Sequence, residues 1–243
     1  IKSGVHAVTA ATGEALEVIE DRAASVRAPL LVVPRDVSAR IVDESLLETR
    51  LELVSGALSL PVRLPMPGAF QATNAATAAA VVRSLRARGV DIPSSAIECG
   101  LGQTSFGGRL EVVQLEPLIV IDGAHHPDAI RVLMESLRRL VHGSGIVLLF
   151  AAQADKDADR MARMLGPGIE TVIVTRVPGS ERSASAAKLA QALEEVAGEV
   201  IAVEGYVEAL KLARSRLSRN CMLLVTGSLY LAGAVRQLLR PKA

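Results

Sequence analysis

Asp122, His125 and His126 crowd into Asp122-Gly123-Ala124-His125-His126-Pro127, directly after the aliphatic run Leu118-Ile119-Val120-Ile121. A carboxylate beside two imidazoles can accept hydrogen bonds from a diol, donate to phosphate oxygens, or move a proton near neutral pH. The same six residues also suit an ordinary strand–turn–helix junction, with Asp122 capping the turn and the histidines solvated. Arg109 ends the polar run Gln103-Thr104-Ser105-Phe106-Gly107-Gly108. A guanidinium beside a glycine-rich loop suits bidentate phosphate binding, and equally an unremarkable loop. Ser228 follows Thr226-Gly227, and Asp155-Lys156-Asp157 concentrates charge after another aliphatic run. For that triplet an N-cap with first-turn carboxylates is the better reading. Asn74 stands near the start of an alanine-rich segment, where its amide either caps a helix end or reaches a ligand.

The elements around these residues follow from hydrophobic spacing. Residues 6–10 and 30–33 read as strands flanking a helix over 13–28, a β-α-β unit. Residues 35–46 read as charged and irregular, and 47–64 as strand segments turning at Ser55-Gly56. Met66-Pro67-Gly68-Ala69 reads as a linker before a helix over 72–88. A short helix follows over 93–101. From 110 onward β and α alternate: strands at 110–113, 118–121, 146–150, 171–175, 199–203 and 222–225, and helices at 128–141, 158–165, 183–196, 206–217 and 229–239. That rhythm predicts an α/β fold with a mostly parallel sheet flanked by helices. In such a sheet the loops carrying Asp122, Asp155 and Ser228 lie at the carboxyl edge, where ligands bind.

Composition removes several classes of function. The 243 residues carry 27 Lys+Arg against 26 Asp+Glu, a net charge of +1, so no global field draws nucleic acid or membrane. Aromatic residues make up 2% and tryptophan is absent, too few rings for base-stacking platforms. Cys99 and Cys221 read as two core thiols of a cytoplasmic protein, not as a disulfide or metal site. No apolar run reaches the length of a membrane span. No G-x-x-x-x-G-K-[ST], G-x-G-x-x-G or G-x-S-x-G occurs where it would matter, and no zinc-ligand spacing is found.

Four stretches together resemble the Mur ligase superfamily, and within it folylpolyglutamate synthase/dihydrofolate synthase. They are Pro67–Ala75, Gly108-Arg109-Leu110-Glu111, Asp122–Pro127 and Gly227–Arg236, with Asp155-Lys156-Asp157 also fitting. The resemblance covers nearly the whole chain. It implies a tail of a P-loop ATPase-type α/β domain over 1–65, a linker at 66–70 and a Rossmann-like C-terminal domain over 71–243. It also implies an ATP-dependent ligase joining L-glutamate to dihydropteroate or folate through an acyl phosphate. In that reading Asn74 contacts adenine, Arg109 the phosphates and Asp122 the ribose hydroxyls. His125 is the catalytic candidate, near the γ-phosphate and the incoming glutamate, and Ser228 helps to hold glutamate. ATP and Mg2+ are the expected cofactors, with the metal's ligands mainly in a preceding domain. The expected protein is a monomer acting on small molecules, with no metal ligand of its own, and this portion is expected to be inactive alone. Three positions depart from the family pattern: Phe70 for its histidine, Gly108 for its proline and His126 for its asparagine. A non-catalytic domain of the same fold, binding nucleotide or a partner, and a Mur-type ligase of cell-wall precursors are the alternatives.

Overall fold

The computed structural model describes residues 1–239, which fall into two compact units divided between Ser105 and Phe106. In the first unit, β1 (Ala7–Thr9), α1 (Gly13–Ser25) and β2 (Leu30–Val32) form the expected β-α-β, with β1 and β2 parallel. Then β3 (Ser38–Glu44), β4 (Thr49–Ser55) and β5 (Leu58–Leu64) make an antiparallel meander. Gly56, at φ 59, supplies the left-handed turn between β4 and β5. Helices α2 (Phe70–Arg86) and α3 (Ser94–Gly102) complete the unit.

Residues 35–46 are not irregular, because they contain β3. Its inward set is only Ala39 and Ile41, while Arg40, Val42 and Asp43 are exposed and a bulge separates Ile41 from Asp43. So thin an apolar face leaves little alternation to read. The division into compact units also falls well past the linker read at 66–70. Ala72, Ala75, Ala76, Ala79 and Ala80 of α2 share one core with Leu51, Leu53, Val62 and Leu64 of the meander. Methyl-sized side chains let α2 lie close on the sheet, so the helix packs with the residues that precede it.

The second unit is a six-stranded sheet ordered β10-β9-β8-β11-β7-β6. Its elements are β6 (Glu111–Gln114), β7 (Ile119–Ile121), α4 (Pro127–Leu140), β8 (Gly145–Phe150), α5 (Ala158–Leu165), β9 (Ile169–Val174), α6 (Ala186–Ala192), β10 (Glu199–Ala202), α7 (Tyr206–Ser215), β11 (Cys221–Thr226) and α8 (Leu229–Leu239). All neighbours are parallel except the edge pair β6–β7. Helical crossovers carry the chain from β7 through β8 and β9 to β10, then α7 returns it to β11, between β7 and β8. The reversal sends α7 and α8 to one face, where Ala209, Ala213, Leu231 and Val235 pack on Ile119, Ile121, Leu149 and Val225. Strand alternation points Val120, Leu148 and Leu224 to the other face.

Helix α6 is shorter than the span 183–196. Ser183 joins Gln153 in a β-bridge instead, and its hydroxyl accepts from Val177 N at 2.7 Å. Cys221 is buried as expected, but Cys99 is exposed, and both are free thiols. Among the described residues, no helix is long and apolar enough to cross a membrane.

Candidate functional site

The return of β11 between β7 and β8 creates a reversal of strand order, the place where the loops of an open parallel sheet diverge to leave a crevice. Backbone bonds stitch the β7 and β11 loops together there. Asp122 N donates to Val225 O at 2.9 Å, and Gly227 N to Ala124 O at 2.9 Å. Gly227 has φ 92, and a Cβ on it would run into the Ala151 carbonyl and the Phe150 ring, so only glycine fits.

Asp122 is 5% exposed. Its Oδ2 accepts from Leu110 N and its Oδ1 from Ala124 N, both at 2.7 Å. The carboxylate thus ties the β7 loop to the turn before β6, where Leu110 holds φ 46 while fully buried. A leucine in the left-handed region is strained and stays there only when its surroundings impose it. Burial pushes the Asp122 carboxyl above the usual range, against the opposing pull of the two backbone N–H groups, the Arg109 guanidinium and His125.

His125 Nδ1 lies 2.9 Å from Gly123 O. A carbonyl only accepts, so Nδ1 carries the proton and Nε2 is the ring atom open to a ligand. His126 is the N-cap of α4, its Nδ1 accepting from Ala129 N at 3.3 Å, with Pro127 opening the helix. The two rings meet edge to face at 5.4 Å. At this position histidine does the capping that asparagine does well, which explains the departure from the family pattern.

The Arg109 guanidinium lies 5.5 Å from the centre of the exposed Phe106 ring, and its Nη1 donates to Gly108 O at 3.1 Å. A Cβ on Gly123 would come within 2.9 Å of Arg109 Nη1 and 2.6 Å of Leu229, so the absent side chain leaves room for both. Ser228 is 3% exposed, and its Oγ accepts from Tyr230 N at 3.2 Å, leaving its own proton to donate.

Arg109, Asp122, His125 and Ser228 therefore gather at one edge of the second unit. Asn74 belongs to the first unit. It is not a helix-end cap: α2 starts at Phe70, and the exposed Asn74 amide donates to Gln71 Oε1 at 2.9 Å. Asp157 is the N-cap of α5, accepting from Arg160 N at 2.9 Å, as its triplet suggests. Lys156 faces a groove of about 870 Å³ lined by α5 and α6 residues, which includes none of the gathered four. Among the described residues, no three His, Cys, Asp or Glu side chains stand close enough to hold a metal ion.

Glu111 and Arg236 also belong to this edge, although sequence reasoning gave them no role. Glu111 accepts from Gly108 N at 2.8 Å and pairs with Arg236 Nε at 2.7 Å. Opposite charges in two family-like stretches were the available signal, but their separation of 125 positions hides the pairing.

Known proteins resemble this chain in sequence and in fold. Residues 108–229 match the family described as Mur ligase, glutamate ligase domain. A probable bifunctional folylpolyglutamate synthase/dihydropteroate synthase of Haloferax volcanii is 34% identical over 94% of this chain and 27% of its own length. Folylpolyglutamate synthase of Thermotoga maritima superposes with a TM-score of 0.79 at 31% identity, over 98% of this chain and 55% of that one. The Mycobacterium tuberculosis folylpolyglutamate synthase, solved with ADP and AMPPCP, superposes at 0.86 and 25% identity, over 98% and 55%. The chain thus spans between about a quarter and about half of these proteins. Its strand order reversal, its Gly-Arg-Leu-Glu turn and its Asp-Gly-Ala-His loop all fall within or beside the matched residues, and the chain belongs to the Mur ligase family.

Proposed function

We propose that this chain forms part of an ATP-dependent ligase joining L-glutamate to dihydropteroate or a folate through an acyl phosphate, working in the cytoplasm as a monomer. The second compact unit, which carries the matched residues 108–229, is the glutamate-ligase module. The first, with α2 and α3 packed on its meander, belongs to an ATPase-type domain, so the module does not begin at residue 71. The observation that carries the reading is the stitched edge of β7 and β11. There a guanidinium, an imidazole with Nε2 open and a buried hydroxyl converge, a donor set that fits a nucleotide phosphate and an amino-acid carboxylate.

ATP, when bound, supplies the phosphoryl group that turns a carboxylate into an acyl phosphate. This chain's own residues bind and orient. Arg109 offers paired N–H donors to phosphate oxygens. His125, held with Nδ1 on Gly123 O, presents Nε2 as a donor when charged and an acceptor when neutral. Ser228 donates its hydroxyl proton to the glutamate carboxylate, and Asn74 offers its amide to adenine. Each Asp122 oxygen already takes one backbone N–H, which leaves one acceptor position apiece for the ribose hydroxyls. Mg2+ would take its ligands mainly from a P-loop ATPase domain and would neutralise charge on the nucleotide phosphates.

Calorimetric titration with ADP tests the assignment. Weak binding is expected, with Kd on the order of 1 mM, because most phosphate donors of such enzymes lie on a P-loop. Asp122→Ala and Asn74→Ala should each abolish it. Binding that ignores both substitutions would sink the site. The alternative of a non-catalytic domain predicts the same binding, but no glutamate-dependent ADP release once a P-loop domain is supplied.

A further inference from the structure

We propose that Glu111 and Arg236 are positioning residues: together they tether the Gly107–Leu110 turn and so set where the Arg109 guanidinium stands. The proposal rests on the reading of Arg109 as a phosphate ligand. The turn has no regular structure of its own, since β6 begins only at Glu111. Gly108 holds φ 69 and Leu110 φ 46, on either side of Arg109, so the arginine projects from backbone that would relax if released.

Two carboxylates hold it. Asp122 takes the Leu110 N–H from one side. Glu111 takes the Gly108 N–H from the other, so the N–H groups before and after Arg109 are each fixed by a carboxylate. Glu111 is itself fixed by Arg236, whose Nε lies 2.7 and 2.8 Å from its two oxygens. The Glu111 and Arg236 side chains are only 21% and 27% exposed, so the pair is partly shielded from competing water. Arg236 also packs against Gly107. A Cβ there would stand 3.0 Å from its Nε and Cζ, so a side chain at residue 107 would crowd the guanidinium. Arg236 sits in α8, the helix that begins beside Ser228. The tether therefore joins the phosphate side of the proposed site to the element after its amino-acid side. A guanidinium contributes to phosphate binding through geometry as well as charge, so misplacing its loop should weaken phosphate contacts and spare the rest of the nucleotide.

The test compares ADP with adenosine, which lacks the phosphates, by 15N NMR titration of the intact chain and its Arg109→Ala, Glu111→Ala, Glu111→Gln and Arg236→Gln variants. Amide exchange of Gly108 is read on the same samples. Glu111→Ala and Arg236→Gln should each weaken ADP about tenfold, leave adenosine unchanged and speed exchange at Gly108. Combining the two should cost no more than either alone, because they break one tether. Glu111→Gln, which keeps an acceptor but loses the charge, should fall between and serves if the alanine variant does not fold. If Arg109→Ala weakens ADP while Glu111→Ala and Arg236→Gln bind it as wild type does, the tether is overturned and the phosphate reading stands. If Arg109→Ala binds ADP as wild type does, or if the wild-type chain binds none, the phosphate reading falls and the proposal with it. Equal loss of ADP and adenosine would mean general damage to the fold and would also overturn it.

Discussion

Asp122 carries two demands that pull in opposite directions. Its two backbone acceptances hold the β7 loop and the Leu110 turn, which favours a charged carboxylate, while its burial disfavours charge more strongly. A carboxyl whose folded pKa is raised binds its proton more tightly in the folded state. The stability it contributes is complete below the ordinary carboxylate value, near 3.8, and is lost as pH rises through the raised one. Denaturant unfolding of wild type and Asp122→Asn between about pH 4 and about pH 7 should show the gap between them moving against wild type as pH rises. A gap that moves the other way would mean the N–H groups and Arg109 outweigh burial. Gly227 makes a plainer case. Alanine there adds strain at φ 92 and an overlap with Ala151 and Phe150, for a loss on the order of 3 kcal/mol in unfolding free energy. On the proposed reading, glutamate binding should fall with it, since the same loop presents Ser228.

At the scale of elements, His126 separates local structure from chemistry. It stands beside the catalytic candidate, yet its Nδ1 is spent on Ala129 N. His126→Ala should cost about 1 kcal/mol of stability, and His126→Asn should be within about 0.5 kcal/mol of wild type, because asparagine caps at least as well. Thermal unfolding of the two variants decides between them, and equal losses would mean that His126 stabilises by something other than capping. What was legible in the sequence follows the same division between local and distant. Strands β7, β8 and β11 are runs of buried aliphatics that announce themselves, and the polar residues at their ends mark the edge of the sheet. Asp122 as a turn anchor and Asp157 as a cap were readable because both act on neighbours in the chain. β3 was not, because Arg40, Asp43 and Glu44 mask its two apolar contacts. Nor was the pairing of Glu111 with Arg236, nor the left-handed Leu110, since both are set by tertiary packing, which spacing does not encode.

At the scale of the molecule each unit carries part of the proposed set. The second unit gathers an arginine, a histidine and a serine at one edge, and the first carries Asn74 on α2. Neither unit offers a glycine-rich phosphate cradle of the P-loop type, and no metal-binding cluster occurs among the described residues. A ligase must bring charged phosphate oxygens against a carboxylate, and repulsion between them is overcome by converging cations and N–H donors. On the proposed reading this chain supplies one guanidinium and one imidazole of that set, and a P-loop supplies the rest. The chain by itself should therefore release no ADP above background when given ATP, Mg2+, glutamate and a folate. Extended with a Mur-type P-loop domain ahead of Ile1, it should release ADP in proportion to glutamate added, and His125→Ala in that protein should lower kcat about a hundredfold or more while changing KM for ATP far less. Release by the chain alone would show that the described residues suffice for catalysis. An extended protein in which His125→Ala matches wild type would remove His125 from the chemistry, leaving Nε2 a solvent-facing atom of the turn.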